Sequence, residues 1–218
     1  MNASSSLKVL YDQPLQFIEN QTDEICLEIV KNDGSALKYV KNQTDKICLE
    51  AVRQDGSALE YVENQTDEIC LEAVRQNGSA LEYVKNKTHE ICLEAVRQDG
   101  MAVKFVENQT PEICLEAVKE YGAALYCIKE QTDEICLEAV KRFSPALKIV
   151  KRQTPKICLE AVKECGAALQ FVKDQTEEIC LTALTNTKLS YLDEQEILGY
   201  IKDKKILDTC LTYIAKYN

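Results

Sequence analysis

The chain has 218 residues, 45% of them apolar and 28% charged, with a net charge of −10 at neutral pH. An acidic balance of that size works against general affinity for nucleic acid, where neutralising phosphate dominates binding. With no Trp, 6% aromatic residues, four Pro and seven Gly, the composition suits a helical protein rather than a β-sandwich or barrel. No run approaches the roughly 18 apolar residues of a membrane span. The stretch from Met1 to Leu10 lacks the basic-then-apolar order of a secretory leader, so a cytoplasmic, thiol-reducing location is expected.

Residues 1–21 read as an N-terminal half-repeat, a cap whose short helix begins near Pro14 and carries Leu15, Phe17 and Ile18. From Thr22 the sequence repeats with a period of 22: Cys26 recurs at 48, 70, 92, 114, 136, 158 and 180 without slippage, and Thr, Ile and Leu keep the same phase. A period of twice 11 also fits one long helix with a right-handed supercoil. The breakers exclude that. Gly34, Gly56, Gly78, Gly100, Gly122 and Gly166 share one phase, and each costs a helix interior about 1 kcal/mol against Ala. Pro111, Pro145 and Pro155 each cost about 3 kcal/mol there. Each repeat is therefore predicted to be two short helices, and residues 22–184 an all-α solenoid of about eight units. With residues 185–218 as a C-terminal helical cap, the whole chain is expected to form one continuous domain.

The first helix of each repeat starts at Thr as N-cap, as at Thr66, with Pro111 and Pro155 at the first helical position of their copies. It ends about ten residues on, with Lys or Arg in the last turn and Gly beyond in an expected left-handed turn. The second begins near Ser35, Ser57 and Ser79, with Ser144-Pro145 marking the same start, and runs two turns to Asn-Gln. Ile69, Cys70, Leu71, Ala73 and Val74 span an apolar arc of about 200° on the first helix, and Ala80, Leu81, Tyr83 and Val84 make the matching face of the second. Glu72/Arg75, Glu50/Arg53, Glu94/Arg97, Glu116/Lys119, Glu138/Lys141 and Glu160/Lys163 are expected as i,i+3 ion pairs, each worth about 0.2–0.5 kcal/mol. Beyond Leu184, helical spacing of Ile197, Leu198, Ile201, Ile206, Leu207, Cys210, Leu211 and Ile214 predicts the cap helices.

The phrase Asn-Gln-Thr-Pro-Glu-Ile-Cys-Leu-Glu-Ala-Val-Lys (Asn108 to Lys119), followed by Gly122 and Ala124-Leu125, resembles a repeat family of unknown function associated with giant viruses of amoebae and amoeba-infecting bacteria. The resemblance covers roughly residues 12–184. It implies a repeat array and an amoebal-virus context, and it carries no catalytic residues over.

The residues offer little chemistry. Zinc needs four converging ligands, usually from Cys-x-x-Cys pairs, and no such pair is present, so no metal or other cofactor is expected. Packed helices lie about 8–10 Å apart, too far for a disulfide between successive column cysteines; those cysteines read as small buried residues. Cys127 stands at a phase held elsewhere by Tyr or Phe and is expected in the core, and Cys165 lies at an inter-helix turn. His89 is the one histidine and sits at a polar phase. The glycines come singly, so no phosphate loop forms. Rows of Glu from Glu24 to Glu178 read as a solvated face, and the Asn and Thr of each Asn-Gln-Thr turn as satisfying local backbone groups. No enzymatic activity is expected.

Individuality lies at the surface phases. Between Lys141 and Lys173 stand eight basic and two acidic residues, a local charge of +6 that leaves −16 for the remainder. In the same section Tyr121, Phe143 and Cys165 replace Asp33, Asp55, Asn77 and Asp99 at the inter-helix turn. Aromatic and Arg anchors are favoured at binding hot spots, so Tyr121, Tyr126, Phe143, Lys148, Lys151 and Arg152 form the candidate patch for an acidic protein partner. The favoured function is a protein-binding scaffold or adaptor, with no membrane association. The alternatives are an acidic decoy of nucleic-acid-binding proteins and, less favoured, RNA binding through residues 141–173.

Overall fold

The computed structural model describes residues 15–185 and 194–217; the expectations for residues 1–14 and 186–193 lie outside that range. The chain divides into two compact units, Met1–Glu107 and Asn108–Asn218. Both are built from the predicted repeat, and no strand occurs among the described residues, so the protein is an all-helical repeat solenoid.

The first element of each repeat is a short α-helix, ten residues long in Asp23–Asn32, Asp45–Gln54, Asp67–Gln76 and His89–Gln98 of the first unit and in Pro111–Glu120, Asp133–Arg142 and Pro155–Glu164 of the second, with Glu177–Thr185 following. Threonine starts each one. Thr44 keeps extended backbone while its hydroxyl accepts from the Ile47 N–H and its carbonyl accepts the first intrahelical bond from the Cys48 N–H at 3.0 Å. Pro111 and Pro155 fall at the helix start as expected, where a missing N–H costs nothing. Ile, Cys, Ala and Val of this helix are fully buried in copy after copy, as Ile69, Cys70, Ala73 and Val74 show. Leu71 is half-buried.

The second element is a six-residue 3-10 helix, Gly34–Tyr39, Gly56–Tyr61, Gly78–Tyr83 and Gly100–Phe105 in the first unit, and Gly122–Cys127, Ser144–Ile149 and Gly166–Phe171 in the second. Its apolar spacing explains the tighter winding: Gly56, Leu59 and Val62 recur every three residues and are buried together with Ala58, the period of a 3-10 helix. The serines do not cap it. Asp33, Asp55, Asn77 and Asp99 do, each side chain accepting the N–H two residues on, because a short carboxyl or carboxamide closes an Asx turn better than a hydroxyl. Tyr83, expected in the core, is only half-buried.

The glycine phase has a different cause from the one expected. No described glycine has positive φ, and the preceding residue is extended, as at Asp55 (φ −144°, ψ 109°). Glycine is required by close approach between repeats: a Cβ on Gly56 would lie 2.5 Å from the Ala73 carbonyl oxygen of the next helix, and the Gly56 N–H donates to Gln76 Oε1 at 2.7 Å. Ser144 holds this phase in one copy and is buried; there ψ of the preceding Phe143 is 88°.

Within each unit one glutamine ties each repeat to the next. Gln43 Nε2 donates to the Tyr61 carbonyl (2.9 Å), and its Oε1 accepts from the Glu63 N–H (3.0 Å). Gln21 and Gln65 do the same in the first unit, and Gln109, Gln131 and Gln153 in the second. Lys87 stands at this phase and, having no acceptor, donates to the Val84 carbonyl of its own repeat (2.8 Å).

At the C-terminus the repeat does not fade as completely as the sequence suggests. Gln175 clamps the Tyr200 carbonyl and the Lys202 N–H (both 2.9 Å), so Leu198-Gly-Tyr-Ile-Lys202 takes the part played by Leu169-Gln-Phe-Val-Lys173. Asp203 then caps the helix Lys204–Tyr217, which packs on Glu177–Thr185. Leu198–Lys202 thus closes the eighth repeat and Asp203 opens the first helix of a ninth. In the first unit the half-repeat is represented by Leu15–Phe17, with Leu15 and Ile18 buried.

Two substitutions test this packing by thermal melting. Gly56→Ala is expected to destabilise by about 1–3 kcal/mol, the usual cost of overpacking against backbone. Lys87→Gln is expected to stabilise by about 0.5–1.5 kcal/mol, the net worth of an added buried hydrogen bond.

Candidate docking surface

The 3-10 geometry sorts the second element into faces three residues apart. One face is buried. The outermost face carries Ala123, Tyr126 and Lys129 in one copy, Pro145, Lys148 and Lys151 in the next, and Ala167, Gln170 and Lys173 in the third. Four lysines and no acid share this face in these three copies, and all four are exposed. The corresponding face of the first unit holds Lys38, Lys41, Lys85 and Lys104 against Glu19, Glu60, Glu63, Glu82 and Glu107, a mixed set.

Of the six candidate residues, Tyr126, Lys148 and Lys151 therefore lie together, on neighbouring packed 3-10 helices. Tyr126 is 56% exposed. Arg152 is exposed in the bend one residue beyond Lys151. Tyr121 and Phe143 sit at the opposite, N-terminal end of these helices, about 10 Å away at the ~2.0 Å rise of a 3-10 helix. There they take the place of the capping Asp and make no side-chain cap bond. Tyr121 is 50% exposed, whereas Phe143 is half-buried. Lys129 and Lys173, on the face but outside the six, were signalled by the lysines at their phase.

The charges on this face do not all have the same freedom. Lys151 Nζ donates to the Lys129 carbonyl at 2.7 Å, and Lys173 Nζ to the Val150 carbonyl at 3.5 Å; Lys85 does the same in the first unit (Glu63 O, 2.8 Å). A lysine at this phase covers a carbonyl of the preceding repeat. Lys148 and Arg152 make no such bond, which leaves their charges available to a ligand.

On the α-helical side the expected ion pairs are partly rearranged. Arg53 and Arg75 bond across repeats to Glu72 (3.1 Å) and Glu94 (2.9 Å), because the long guanidinium arm reaches the neighbouring helix. Lys119 and Lys141 keep the i,i+3 pairs with Glu116 (2.8 Å) and Glu138 (3.9 Å). These pairs are exposed and each adds about 0.2–1 kcal/mol at most.

The cysteine column from Cys26 to Cys180 is buried, and Cys127, expected in the core, is half-buried like the aromatic rings at its phase. Cys48, Cys70, Cys136 and Cys158 donate to the oxygens of Gln43, Gln65, Gln131 and Gln153 at 3.7–3.9 Å, a weak thiol donor steadying the inter-repeat clamp. Burial raises these thiols, with Cys48, Cys136 and Cys180 pushed up to about 11. Among the described residues no three His, Cys, Asp or Glu side chains are placed to hold a metal ion, and no helix is long and apolar enough to cross a membrane.

Because folding raises these thiol pKa values, the folded chain keeps protons that the unfolded chain loses above its ordinary value of 9.0. The contribution of these thiols to stability is therefore expected to be constant below pH 9 and to fall as pH rises towards about 11, with slope set by the difference in bound protons. Denaturant melts at graded pH measure it, and Cys48→Ala/Cys136→Ala should flatten the decline.

Three overlapping segments, residues 22–66, 46–87 and 66–110, match a family described as a domain of unknown function (DUF4116). Each match spans about two repeats, so residues 22–110 are similar to an array of the same kind. No curated protein and no solved structure matches the chain.

Proposed function

We propose that the protein is a non-catalytic binding scaffold that captures an acidic protein partner on the second-helix face of its second unit. The observation that carries this reading is the row of four exposed lysines without an acid on the outermost face of three successive repeats, where Lys148 has no internal partner beside an exposed Tyr126; the equally uncommitted Arg152 lies one residue beyond that face, at the phase of Glu130 and Asp174. Complementary charge steers encounter and orients the partner. A tyrosine supplies contact area at low entropic cost, which favours it as an anchor. The repeated core leaves surface phases free to vary, as in other solenoids that bind along their length. The resemblance to repeats of amoebal viruses and amoeba-infecting bacteria fits a protein that works on host partners in the cytoplasm.

An oligo-glutamate peptide labelled with a fluorophore serves as probe. Saturable binding that weakens steeply with salt is expected, and Lys148→Glu/Arg152→Glu should lower affinity by about tenfold or more, since two exposed attractions worth about 0.2–1 kcal/mol each turn into repulsions of similar size. Lys151 is left intact because it also holds the fold. Equal binding by the variant and the parent, at equal melting temperature, would remove the proposal.

A further inference from the structure

Among the groups with no duty in the fold are the exposed side chains of Asn42, Asn64 and Asn86, which make no hydrogen bond and so do not satisfy the local backbone as expected. The apolar faces left open on the first and last described α-helices are more specific. In Asp23–Asn32, Cys26 and Val30 are buried, as Cys48 and Val52 are in the next copy, whereas Ile25 and Ile29 are only half-buried. At the phases of those two, Ile47 and Ala51 are at 0%. The Cys and Val phases therefore pack on the following helix, and the Ile and Ala phases on the preceding one.

The helix Lys204–Tyr217 shows the reverse. Asp203 caps it as Thr22 caps the first helix, each accepting the N–H three residues on. Cys210 thus stands at the phase of Ile29, and Leu207 and Leu211 at those of Cys26 and Val30. Cys210 is fully buried and adds, after burial itself, to the raised pKa of the Cys180 thiol on the preceding helix. Leu211 is 45% exposed; Leu207 is half-buried, as is Ile206 at the phase of Ile25.

We propose that these two faces are the halves of one joint, in which the helix Lys204–Tyr217 of one copy receives the helix Asp23–Asn32 of a second copy, head to tail, as successive repeats receive each other. This contact is independent of the lysine face of the second unit.

The apolar residues at both faces are larger than those of the inner joints. Ile29 stands where later copies carry Ala, from Ala51 to Ala183, and Leu207 and Leu211 stand at the phases of Cys26 and Val30. Large side chains left open to water mark an interaction surface, and they bury more apolar area once covered. The joint uses a different surface on each copy, so it is heterologous and leaves one face open at either end of a pair.

Charge selects the occupant. Lys204 and Lys205 are exposed in the first turn of their helix, which holds no acid, although the positive end of the helix dipole disfavours cations there. Asp23 and Glu24, also exposed, hold the same two phases in the first helix. Residues at one phase of successive helices act on each other. The Glu24 carboxyl is held below its ordinary value by its own backbone N–H first, then by the Thr22 hydroxyl, and also by Lys46 at its phase in the next helix. In the joint, Lys205 acts on Glu24 from the other side and Lys204 on Asp23. Two copies of the last helix lack this match: in parallel they oppose lysine to lysine, and antiparallel they bring Lys204 and Lys205 towards Lys216.

Sedimentation of the full chain over rising concentration tests this. The parent is expected to self-associate. Leu207→Glu/Leu211→Glu and Ile29→Glu should each stay monomeric alone, while their equimolar mixture forms a one-to-one dimer and nothing larger, because it holds one intact joint. Melting temperatures in dilute solution check that both variants fold. Lys204→Glu/Lys205→Glu, confined to exposed side chains, should weaken self-association by about tenfold, and mixing it with Asp23→Lys/Glu24→Lys should restore the parent's affinity. Lys148→Glu/Arg152→Glu should self-associate like the parent, which keeps failure here distinct from failure of the lysine-face reading. A parent that stays monomeric overturns the proposal. So does a dimer of the Ile29→Glu chain alone, the result of last helices pairing with each other, a folded mixture without a dimer, or loss of association in the Lys148→Glu/Arg152→Glu chain.

Discussion

A single glutamine carboxamide fixes how each short repeat stacks on the next at every described joint but the one held by Lys87. Helices of ten and six residues are too short to persist alone in water. Where the 3-10 helix ends and the chain bends, a carbonyl and an N–H two residues apart lose their helical partners. One glutamine from the preceding repeat satisfies both, as Gln153 does for Phe171 and Lys173. It spans from one repeat to the next, so the same bonds that complete the backbone also fix the stacking register. The thiol behind it and the glycine–carbonyl approach on the far side, as between Gly122 and Ala139 (2.7 Å to an added Cβ), follow from that register.

The same constraint separates structure from recognition. Apolar phases and the clamp are occupied by joints, so little can vary there; the outward phases of the second helix carry no such duty. In the first unit those phases combine aromatic rings, asparagines and mixed charge, and in the second they collect lysines. Not every outward charge is free. Lys85, Lys151 and Lys202 cap carbonyls of the preceding repeat, whereas Lys148 is committed to nothing in the fold. A basic row read along the sequence thus mixes packing lysines with recognition lysines, and hydrogen-bond geometry tells them apart.

Much of the fold was legible because its signals are local. Threonine capping, proline at the first helical position and the apolar arc depend on neighbours three or four residues away, and each sits where its spacing placed it. The signals that misled depend on another repeat. Glycine after a helix usually marks a left-handed turn; here Gly56 is set by a carbonyl of the next helix. Arginine three residues from glutamate usually pairs within its helix; Arg53 instead finds Glu72 across the joint. The end of the eighth repeat was obscured by the longer spacing from Gln175 to Tyr200 and Lys202, yet its Leu-x-Tyr-Ile-Lys pattern and the Asp203-x-x-Ile206 that opens a ninth were present to be read.

The sequence alone determined the period, the two-element repeat, the all-helical class and the buried column, since a 22-residue recurrence of apolar residues and breakers admits few arrangements in which every copy buries the same face. Tertiary structure decided the 3-10 winding, the reason for the glycines, the role of glutamine and the exposure of the tyrosines and asparagines. Those outcomes turn on which groups meet between repeats, a distance of about twenty residues along the chain that spacing within one helix cannot reveal.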